Sequence, residues 1–291
     1  MRPDLVVVGT DGSDRSFHAV EWAAHEAMLR GAALRIVSVP MLPPRMSWRR
    51  VPQGTPDTVA DIVVESHEHA LAVAAGRAAE TEPGLAVDTA LLAGPSASAL
   101  IDAAAGASML VVGSRGGGGF AALVLGSVSR YVATRADCPV VVVREETVAV
   151  YREVVVGVRD LDQPAAIGFA FQEAAVRKAR LRAVHAWQSF LPEMRLTGTE
   201  RPGADAEAVT AEVSEWLTGL LGFWREKYLE VDVIEDVVHA SPGWVLAGSA
   251  ARADLIVLGR NSGDNSSHPE ADPVIHAVLN HARGPVAIVP E

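Results

Sequence analysis

The segment Leu5-Val-Val-Val-Gly9 returns as Val154-Val-Val-Gly157, and Met109-Leu-Val-Val-Gly113 returns as Leu255-Ile-Val-Leu-Gly259. The two offsets, 157 − 9 = 148 and 259 − 113 = 146, are nearly equal. Two further matches keep this order and spacing: Leu34-Arg-Ile-Val37 with Leu181-Arg-Ala-Val184, and Cys138-Pro-Val-Val-Val-Val143 with Gly284-Pro-Val-Ala-Ile-Val289. Internal similarity at a fixed spacing indicates a duplication, so we predict two domains, 1–146 and 147–291.

Within each half, short apolar runs alternate with longer helical stretches. Runs of Val, Ile and Leu without alternation are typical of strands buried on both faces of a parallel sheet. We therefore predict an α/β fold of two tandem doubly wound, Rossmann-like domains, each with a five-stranded mainly parallel sheet. The predicted strands are 5–9, 34–39, 86–92, 109–113 and 140–144, then 154–158, 181–187, 231–238, 255–259 and 285–289. The predicted helices of the first half are 14–30, 58–80, 96–105 and 127–135.

Local signals place the ends of two of these helices. Asp14 is a plausible N-cap for the first helix, and Gly31 is a plausible stop at its C-terminal end. Gly94-Pro95-Ser96 predicts a turn with a serine cap before the third helix.

Composition and charge restrict the partners of this chain. Hydrophobic residues make up 49% and charged residues 21%, which is enough to build globular cores. The formal net charge is −11, so neither nucleic acid nor an anionic membrane surface would be attracted to it. A small anion is still compatible with this charge, because local main-chain N–H groups can outweigh the global field.

The single cysteine, Cys138, excludes an intramolecular disulfide and a structural zinc site built from cysteines. Since it precedes Pro139 at a predicted strand start without a basic neighbour, we interpret it as a buried, inert thiol. No secretory leader and no membrane-length apolar segment is evident, so we expect a soluble cytoplasmic protein.

A glycine pattern that suggests phosphate binding begins at the end of the fourth predicted strand. Gly113, Gly116 and Gly126 allow the main chain to approach a phosphate chain closely. Ser127 and Ser129 can add hydroxyl donors, and the N-terminus of the helix that they open offers unpaired N–H groups and a positive dipole end. In open α/β sheets, ligands lie beyond the carboxyl ends of the strands, which is where this segment falls.

The loop after the first strand, Gly9-Thr10-Asp11-Gly12-Ser13, is expected beside that segment. Asp11 is placed to accept hydrogen bonds from ribose hydroxyls, and Arg115 can neutralise phosphate charge. The glycine pattern is not a Walker A loop, because no Gly-Lys-Ser/Thr follows it, and a glycine-rich loop alone is weak support.

Taken together, these segments resemble the universal stress protein family. Its ATP-binding signature is Gly-x2-Gly-x9-Gly-Ser, which Gly113, Gly116, Gly126 and Ser127 fit without a gap. The opening Val-Gly-x-Asp-Gly-Ser at 8–13 and the closing Cys-Pro-Val-Val-Val-Val at 138–143 are also typical of that family. The resemblance covers the whole chain, strongly over 1–145 and loosely over 146–291.

The resemblance implies ATP, with Mg²⁺ bridging its phosphate oxygens, against the ends of the first and fourth strands. It implies that Asp11 meets the nucleoside, that the main chain at Val39 meets the adenine, and that Gly116 and Gly126 to Ser129 hold the phosphates. The full set of candidate binding residues is Thr10, Asp11, Val39, Gly113, Arg115, Gly116, Gly126, Ser127, Val128 and Ser129.

These residues are compatible with three alternative functions. The first is an ATP-binding protein of stress response or dormancy-type signalling, which acts through nucleotide-dependent conformation or choice of a protein partner. The second is a slow ATPase or nucleotidyl transferase, but such an enzyme needs a base and a second acidic ligand, and Asp11 is the only acidic residue inside either loop. The third is an interaction protein with an empty pocket.

Other chemical groups are interpreted as structural. His67 and His69 lie two apart on a predicted helix, so they do not share a face and a metal site is not expected. Trp216 and Trp224 lie eight apart on a predicted helix and are interpreted as core. The loops 40–57 and 188–204, rich in proline, can fold over a ligand or serve as plain connections.

The second half departs from the family pattern. With the 146-residue offset, Gly113 matches Gly259, but Gly116 matches Ser262, Gly126 matches Asp272 and Ser127 matches Pro273. Asp272 brings a negative charge and a competing cap to the helix N-terminus, and Pro273 lacks an N–H donor. Asp11 falls on Arg159, although Asp160 can compensate after a shift of one residue. We predict a degenerate nucleotide loop, with a different anion site at Arg159, Arg260 and Asn261 as the alternative.

The last strand of each half, 140–144 and 285–289, is apolar throughout. If each is an edge strand, pairing the two removes an aggregation hazard. We therefore predict an intramolecular pseudo-dimer of the two halves, with a homodimer also open.

Overall fold

The computed structural model describes residues 4–41, 59–114, 125–144, 150–159, 163–187, 204–260 and 272–291. Contacts divide the chain into two compact units, Met1–Glu146 and Thr147–Glu291. Each unit alternates strands with helices, as the duplicated sequence predicts.

The first unit is built on five strands and four helices. Its strands are β1 (Leu5–Gly9), β2 (Ala33–Ser38), β3 (Val87–Leu91), β4 (Met109–Gly113) and β5 (Val140–Val143). Its helices are α1 (Asp14–Arg30), α2 (Val59–Thr81), α3 (Ser96–Ala103) and α4 (Ser127–Arg135). The strand order is β3-β2-β1-β4-β5, and every pair is parallel.

The second unit repeats this plan. Its strands are β6 (Glu153–Gly157), β7 (Arg180–Trp187), β8 (Val233–His239), β9 (Leu255–Arg260) and β10 (Val286–Pro290). Its helices are α5 (Pro164–Arg177), α6 (Ala204–Lys227), α7 (Pro242–Ser249) and α8 (Pro273–His281), with a short 3₁₀ turn at Ala250–Arg252. The order β10-β9-β6-β7-β8 is again parallel throughout.

These elements confirm the predicted fold class, with strand and helix ends within one or two residues of the expected positions. The strands β3 and β8 are the exception to the predicted burial on both faces. Each lies at one end of the order given for its unit, and its side chains are largely half-exposed or exposed. Pairing between strands 140–144 and 285–289 stays a prediction.

Two of the predicted helix caps are wrong by one residue. Ser13, not Asp14, is the N-cap of α1, because its hydroxyl accepts the main-chain N–H of Ser16. Pro95 is the N-cap of α3, so Ser96 is the first helical residue and makes no capping hydrogen bond. Gly31 ends α1 as predicted, with φ +63° in the left-handed conformation that glycine adopts without strain.

The duplication extends to a buried ion pair that the sequence comparison did not single out. In α1, Arg30 Nε lies 2.5 Å from Glu26 Oε1, and both side chains are almost fully buried. In α5, Arg177 pairs with Glu173 in the same i, i+4 arrangement, again in the core. Each carboxylate is buried together with its cation, which is the condition for tolerating a charge in a core.

Trp216 and Trp224, interpreted as core, are only half-buried, but Trp224 packs between two helices. Its ring stacks at a centroid distance of 6.1 Å on Phe171 of α5, and it covers Gly168 of the same helix. A β-carbon on Gly168 would meet Trp224 Cζ3 at 2.8 Å, so α5 and α6 approach each other only because this residue lacks a side chain.

We expect Gly168→Ala to lower the free energy of unfolding by roughly 1–3 kcal/mol, the usual cost of overpacking. Gly219 in α6 is the matched control, since a β-carbon there would meet nothing within 4 Å. Gly219→Ala should raise stability by about 0.5–1 kcal/mol, because alanine restricts the unfolded chain more than glycine does. Urea denaturation measures both changes, and equal effects at the two positions would contradict this packing.

Candidate functional site

The carboxyl ends of β1, β2 and β4 lie side by side in the first unit. Gly9 of β1 is in register with Val37 of β2 and with Val112 of β4. The connections that leave these strands therefore start at one edge of the sheet, where open α/β folds bind their ligands. This edge carries the candidate residues that the structure describes.

The loop after β1 is held by a network of short hydrogen bonds. The Ser16 hydroxyl donates to the Ser13 carbonyl at 2.8 Å, so Thr10 Oγ1 donates to Ser16 Oγ at 2.9 Å. Thr10 Oγ1 in turn accepts from the N–H of Gly12 at 3.2 Å, and Gly12 has a φ of +80°. Thr10 is buried, so its hydroxyl shapes the loop from within.

Asp11 stands exposed on this loop, and its carboxylate is oriented by the chain that follows. Its Oδ1 accepts from the Ser13 N–H at 3.1 Å and from the Ser13 hydroxyl at 2.6 Å. This arrangement is an Asx turn, which fixes the side chain relative to the main chain. The carboxylate is thereby presented at the sheet edge in a defined position.

Gly113 ends β4 where the first turn of α1 passes closely. A β-carbon at Gly113 would lie 2.9 Å from the Arg15 carbonyl oxygen, which is closer than ordinary contacts allow. The glycine is thus required for packing between β4 and α1, whether or not a phosphate lies nearby.

The two ends of the connection between β4 and α4 are tied together. Gly126 N–H donates to the Ser114 carbonyl at 2.8 Å, and Ser129 Oγ donates to the Gly113 carbonyl at 2.6 Å. The Ser129 hydroxyl proton is therefore committed to the protein, so Ser129 can offer a ligand its main-chain N–H rather than a hydroxyl donor. Arg115 and Gly116 lie outside the described residues, and their roles stay predictions.

The N-terminus of α4 has no side-chain cap. Gly126 is the N-cap residue and makes no capping side-chain hydrogen bond, and the first helical bond back to it comes from Arg130 N–H at 3.0 Å. The N–H groups of Ser127, Val128 and Ser129 precede that bond and have no acceptor within the helix. Three donors and the positive end of the helix dipole thus lie at the start of the helix that follows β4, the neighbour of the strand that leads to the Asp11 loop.

A hydrogen bond between Ser38 and His67, which the sequence did not predict, lies at the carboxyl end of β2. Ser38 is buried and donates its hydroxyl proton to the Thr10 carbonyl at 2.8 Å. His67 Nδ1 lies 2.7 Å from Ser38 Oγ, and because the Ser38 hydroxyl proton goes to Thr10, Nδ1 donates the proton of this hydrogen bond. Val39, the predicted adenine contact, follows Ser38 directly and is buried.

The corresponding helix of the second unit begins differently. Asp272 is the N-cap of α8, and its Oδ1 accepts from Val274 N–H at 2.9 Å and from Ile275 N–H at 3.1 Å. Pro273 stands at the first helical position, where it has no N–H to offer. The donors that α4 leaves available are taken or missing in α8.

Arg159 also contacts the capping residue Asp272. Its Nη1 lies 2.8 Å from Asp272 Oδ2, and its Nη2 donates to the Gly259 carbonyl at 3.3 Å. The guanidinium therefore neutralises the capping carboxylate, while the alternative anion site with Arg260 and Asn261 stays a prediction. Asn261 and Asp160 lie outside the described residues.

Cys138 takes no part in either edge. Its side chain is buried at the start of β5, as interpreted from the sequence, and burial raises the pKa of its thiol to about 11. A thiol with that pKa is almost entirely protonated at neutral pH and is a poor nucleophile.

Within the described ranges, no group of three or more His, Cys, Asp or Glu side chains is placed to hold a metal ion. No helix in these ranges is long and apolar enough to cross a membrane.

The cap of α8 gives a direct stability prediction. Asp272→Ala should lower the free energy of unfolding by about 1 kcal/mol, because two main-chain donors lose their acceptor. Asp272→Asn is the matched control, since its amide oxygen can still accept both N–H groups, and we expect it to lose less than the alanine variant. Urea denaturation compares the two, and equal losses would show that the ion pair with Arg159, not the cap, carries the stabilisation.

Known proteins with similar sequences and a similar fold were found over the whole length of this chain. The sequence model of the universal stress protein family matches residues 4–144 and 150–290. A universal stress protein of Mycobacterium tuberculosis (strain ATCC 25618 / H37Rv) is 32% identical over 97% of this chain and 96% of its own length. One of Mycolicibacterium smegmatis is 33% identical over 98% of this chain and 96% of its own length.

The fold is shared with solved structures. The crystal structure of a universal stress protein from Archaeoglobus fulgidus DSM 4304 aligns with 100% of this chain and 99% of its own, with a TM-score of 0.70 and 18% identity. The same order of strands and helices occurs once in each half of the chain, and the family model also matches each half once. The chain belongs to the universal stress protein family and carries two of its domains in tandem.

Proposed function

We propose that the first domain binds ATP, with Mg²⁺ on the phosphate oxygens, and acts through nucleotide-dependent conformation in a cytoplasmic stress or dormancy-type response. The observation that carries this proposal is the uncapped N-terminus of α4, which presents three main-chain N–H groups next to the Asp11 loop. Main-chain donors at a helix N-terminus are a general means of binding phosphate.

Each candidate residue is assigned a role, and for those that the structure describes the role fits the surroundings. Asp11 meets the ribose, since its carboxylate is exposed and fixed by Ser13. The main chain at Val39 meets the adenine. The N–H groups of Ser127, Val128 and Ser129 hold phosphate oxygens, while Arg115 and Gly116 complete the phosphate site from the intervening loop. Thr10 and Gly113 act by shaping the site.

The sharpest test transplants the cap of α8 into α4. Gly126→Asp with Ser127→Pro supplies a carboxylate cap and removes one N–H donor, as Asp272 and Pro273 do in the second domain. We expect the affinity for ATP to fall at least tenfold, about 1.4 kcal/mol, in isothermal titration. The protein should still fold, because the same pair of residues caps α8.

The matched control makes the reverse exchange, Asp272→Gly with Pro273→Ser. This variant changes the same helix position in the other domain and should leave ATP binding at the first domain unaltered. Wild-type protein should bind about one ATP per chain. An unchanged affinity after the Gly126 and Ser127 exchange, or two equivalent sites in the wild type, would contradict the proposal.

We also propose that turnover is slow or absent. Asp11 is the only acidic residue in the segments 9–13 and 113–127, so a catalytic base and a second Mg²⁺ ligand have no source in these loops. A purified chain incubated with ATP should hydrolyse it far below the ordinary enzyme range of roughly 1–10³ s⁻¹. A rate within that range that disappears in Asp11→Ala would establish the alternative, an ATPase or nucleotidyl transferase.

A further inference from the structure

A buried hydrogen bond joins the two residues that stand directly before the proposed nucleoside contacts. Ser38 Oγ donates to the Thr10 carbonyl at 2.8 Å, and both residues are buried. Thr10 precedes Asp11, and Ser38 precedes Val39. The Thr10 N–H also donates to the Val37 carbonyl at 2.9 Å. These two bonds fix the spacing between Asp11 and Val39, and burial keeps water from replacing the bond of the hydroxyl.

His67 of α2 determines the direction of the Ser38 hydroxyl. Its Nδ1 lies 2.7 Å from Ser38 Oγ, and a serine hydroxyl has a single proton. The Thr10 carbonyl can only accept, so the Ser38 proton points to Thr10 and His67 Nδ1 donates to Ser38 Oγ. The result is a chain of two hydrogen bonds from α2 to the residue after β1, in which each bond polarises and strengthens the other.

Helix α2 also touches the Asp11 loop one turn after His67. A β-carbon at Gly12 would lie 3.1 Å from the β-carbon of Ala70, which is closer than ordinary van der Waals contact. His67 and Ala70 are three residues apart and therefore lie on one face of α2. That face contacts the end of β2 through His67 and the Asp11 loop through Ala70.

The second domain makes the equivalent bond with a residue of the strand itself. His185 follows the last register pair of β6 and β7, as Ser38 follows that of β1 and β2. Its Nδ1 lies 2.9 Å from the carbonyl of Val158, the counterpart of Thr10. In the first domain the strand supplies a hydroxyl instead, and a helix residue orients its proton. This helix-borne donor belongs to the domain whose α4 is uncapped.

We propose that His67 is a positioning residue of the nucleotide site, which holds Asp11 and Val39 at the spacing that a nucleoside requires. His67 acts through Ser38 rather than on the ligand, and α2 is thereby coupled to the nucleoside end of the site. This inference rests on the proposed binding of ATP to the first domain.

Two substitutions of His67 in the full chain test this role. His67→Leu removes the donor, whereas His67→Asn carries an amide N–H on the γ-carbon, as the imidazole carries Nδ1. We expect the leucine variant to bind ATP and ADP about fivefold more weakly and the asparagine variant to bind within about twofold of the wild type, since one hydrogen bond is lost in the first and kept in the second. Isothermal titration measures the affinities, and circular dichroism verifies that each variant is folded.

His69→Leu is the matched control, because it makes the same exchange at an exposed residue of the same helix. Its affinity for both nucleotides should equal that of the wild type. Unchanged binding by His67→Leu, or equal losses in the leucine and asparagine variants, would overturn the proposal. A loss that is larger for ATP than for ADP would also overturn it, because the effect would then lie at the terminal phosphate rather than at the nucleoside.

A spectroscopic test needs no ligand and separates this inference from the proposed function. Nitrogen-15 NMR of the free chain at alkaline pH, where histidine rings are neutral, should show the His67 ring proton on Nδ1. Ser38→Ala should lower the share of that tautomer, because the acceptor is removed. A wild-type ring without a proton on Nδ1 would overturn the inference. If the proton is on Nδ1 but the wild type does not bind ATP, the ATP site and the positioning role are refuted while the hydrogen bond itself stands.

Discussion

In each sheet the first strand pairs in parallel with the fourth, β1 with β4 and β6 with β9, and this pairing decides where every other feature lies. Gly9 is in register with Val112, and Gly157 with Leu258. Because parallel strands end at the same edge, the loop after the first strand and the helix after the fourth strand are brought together without any further contact. The candidate site in each domain exists because of this register.

On that common framework, the two domains differ at the start of one helix. At the start of α4 the three N–H groups have no acceptor among the described residues, whereas at the start of α8 Asp272 accepts from two N–H groups and Pro273 has none. Arg159 forms an ion pair with Asp272, so the charge of the capping carboxylate is balanced by a cation. Two residues at a helix N-terminus thus change which main-chain donors each domain can offer a ligand.

The sequence predicted the strands, the helices, the Gly126 start of α4 and the competing cap at Asp272, because these depend on short, local patterns. It misplaced the caps at Asp14 and Ser96, where adjacent residues of similar character compete for one position. It missed the Ser38–His67 hydrogen bond and the Arg159–Asp272 pair, whose partners lie 29 and 113 residues apart. Such contacts depend on side-chain geometry across strands, which spacing in the sequence does not encode. The roles of Arg115 and Gly116 stay predictions.

Residue-resolved amide hydrogen exchange of the full chain, measured with and without ATP, tests the contrast between the two helices most directly. Without ATP, the amides of Val274 and Ile275 should already be protected by Asp272, while those of Ser127, Val128 and Ser129 should exchange faster. With ATP, protection should rise at residues 127–129 and stay constant at residues 274 and 275. Protection gained at 274 and 275, or no change at 127–129, would contradict the account.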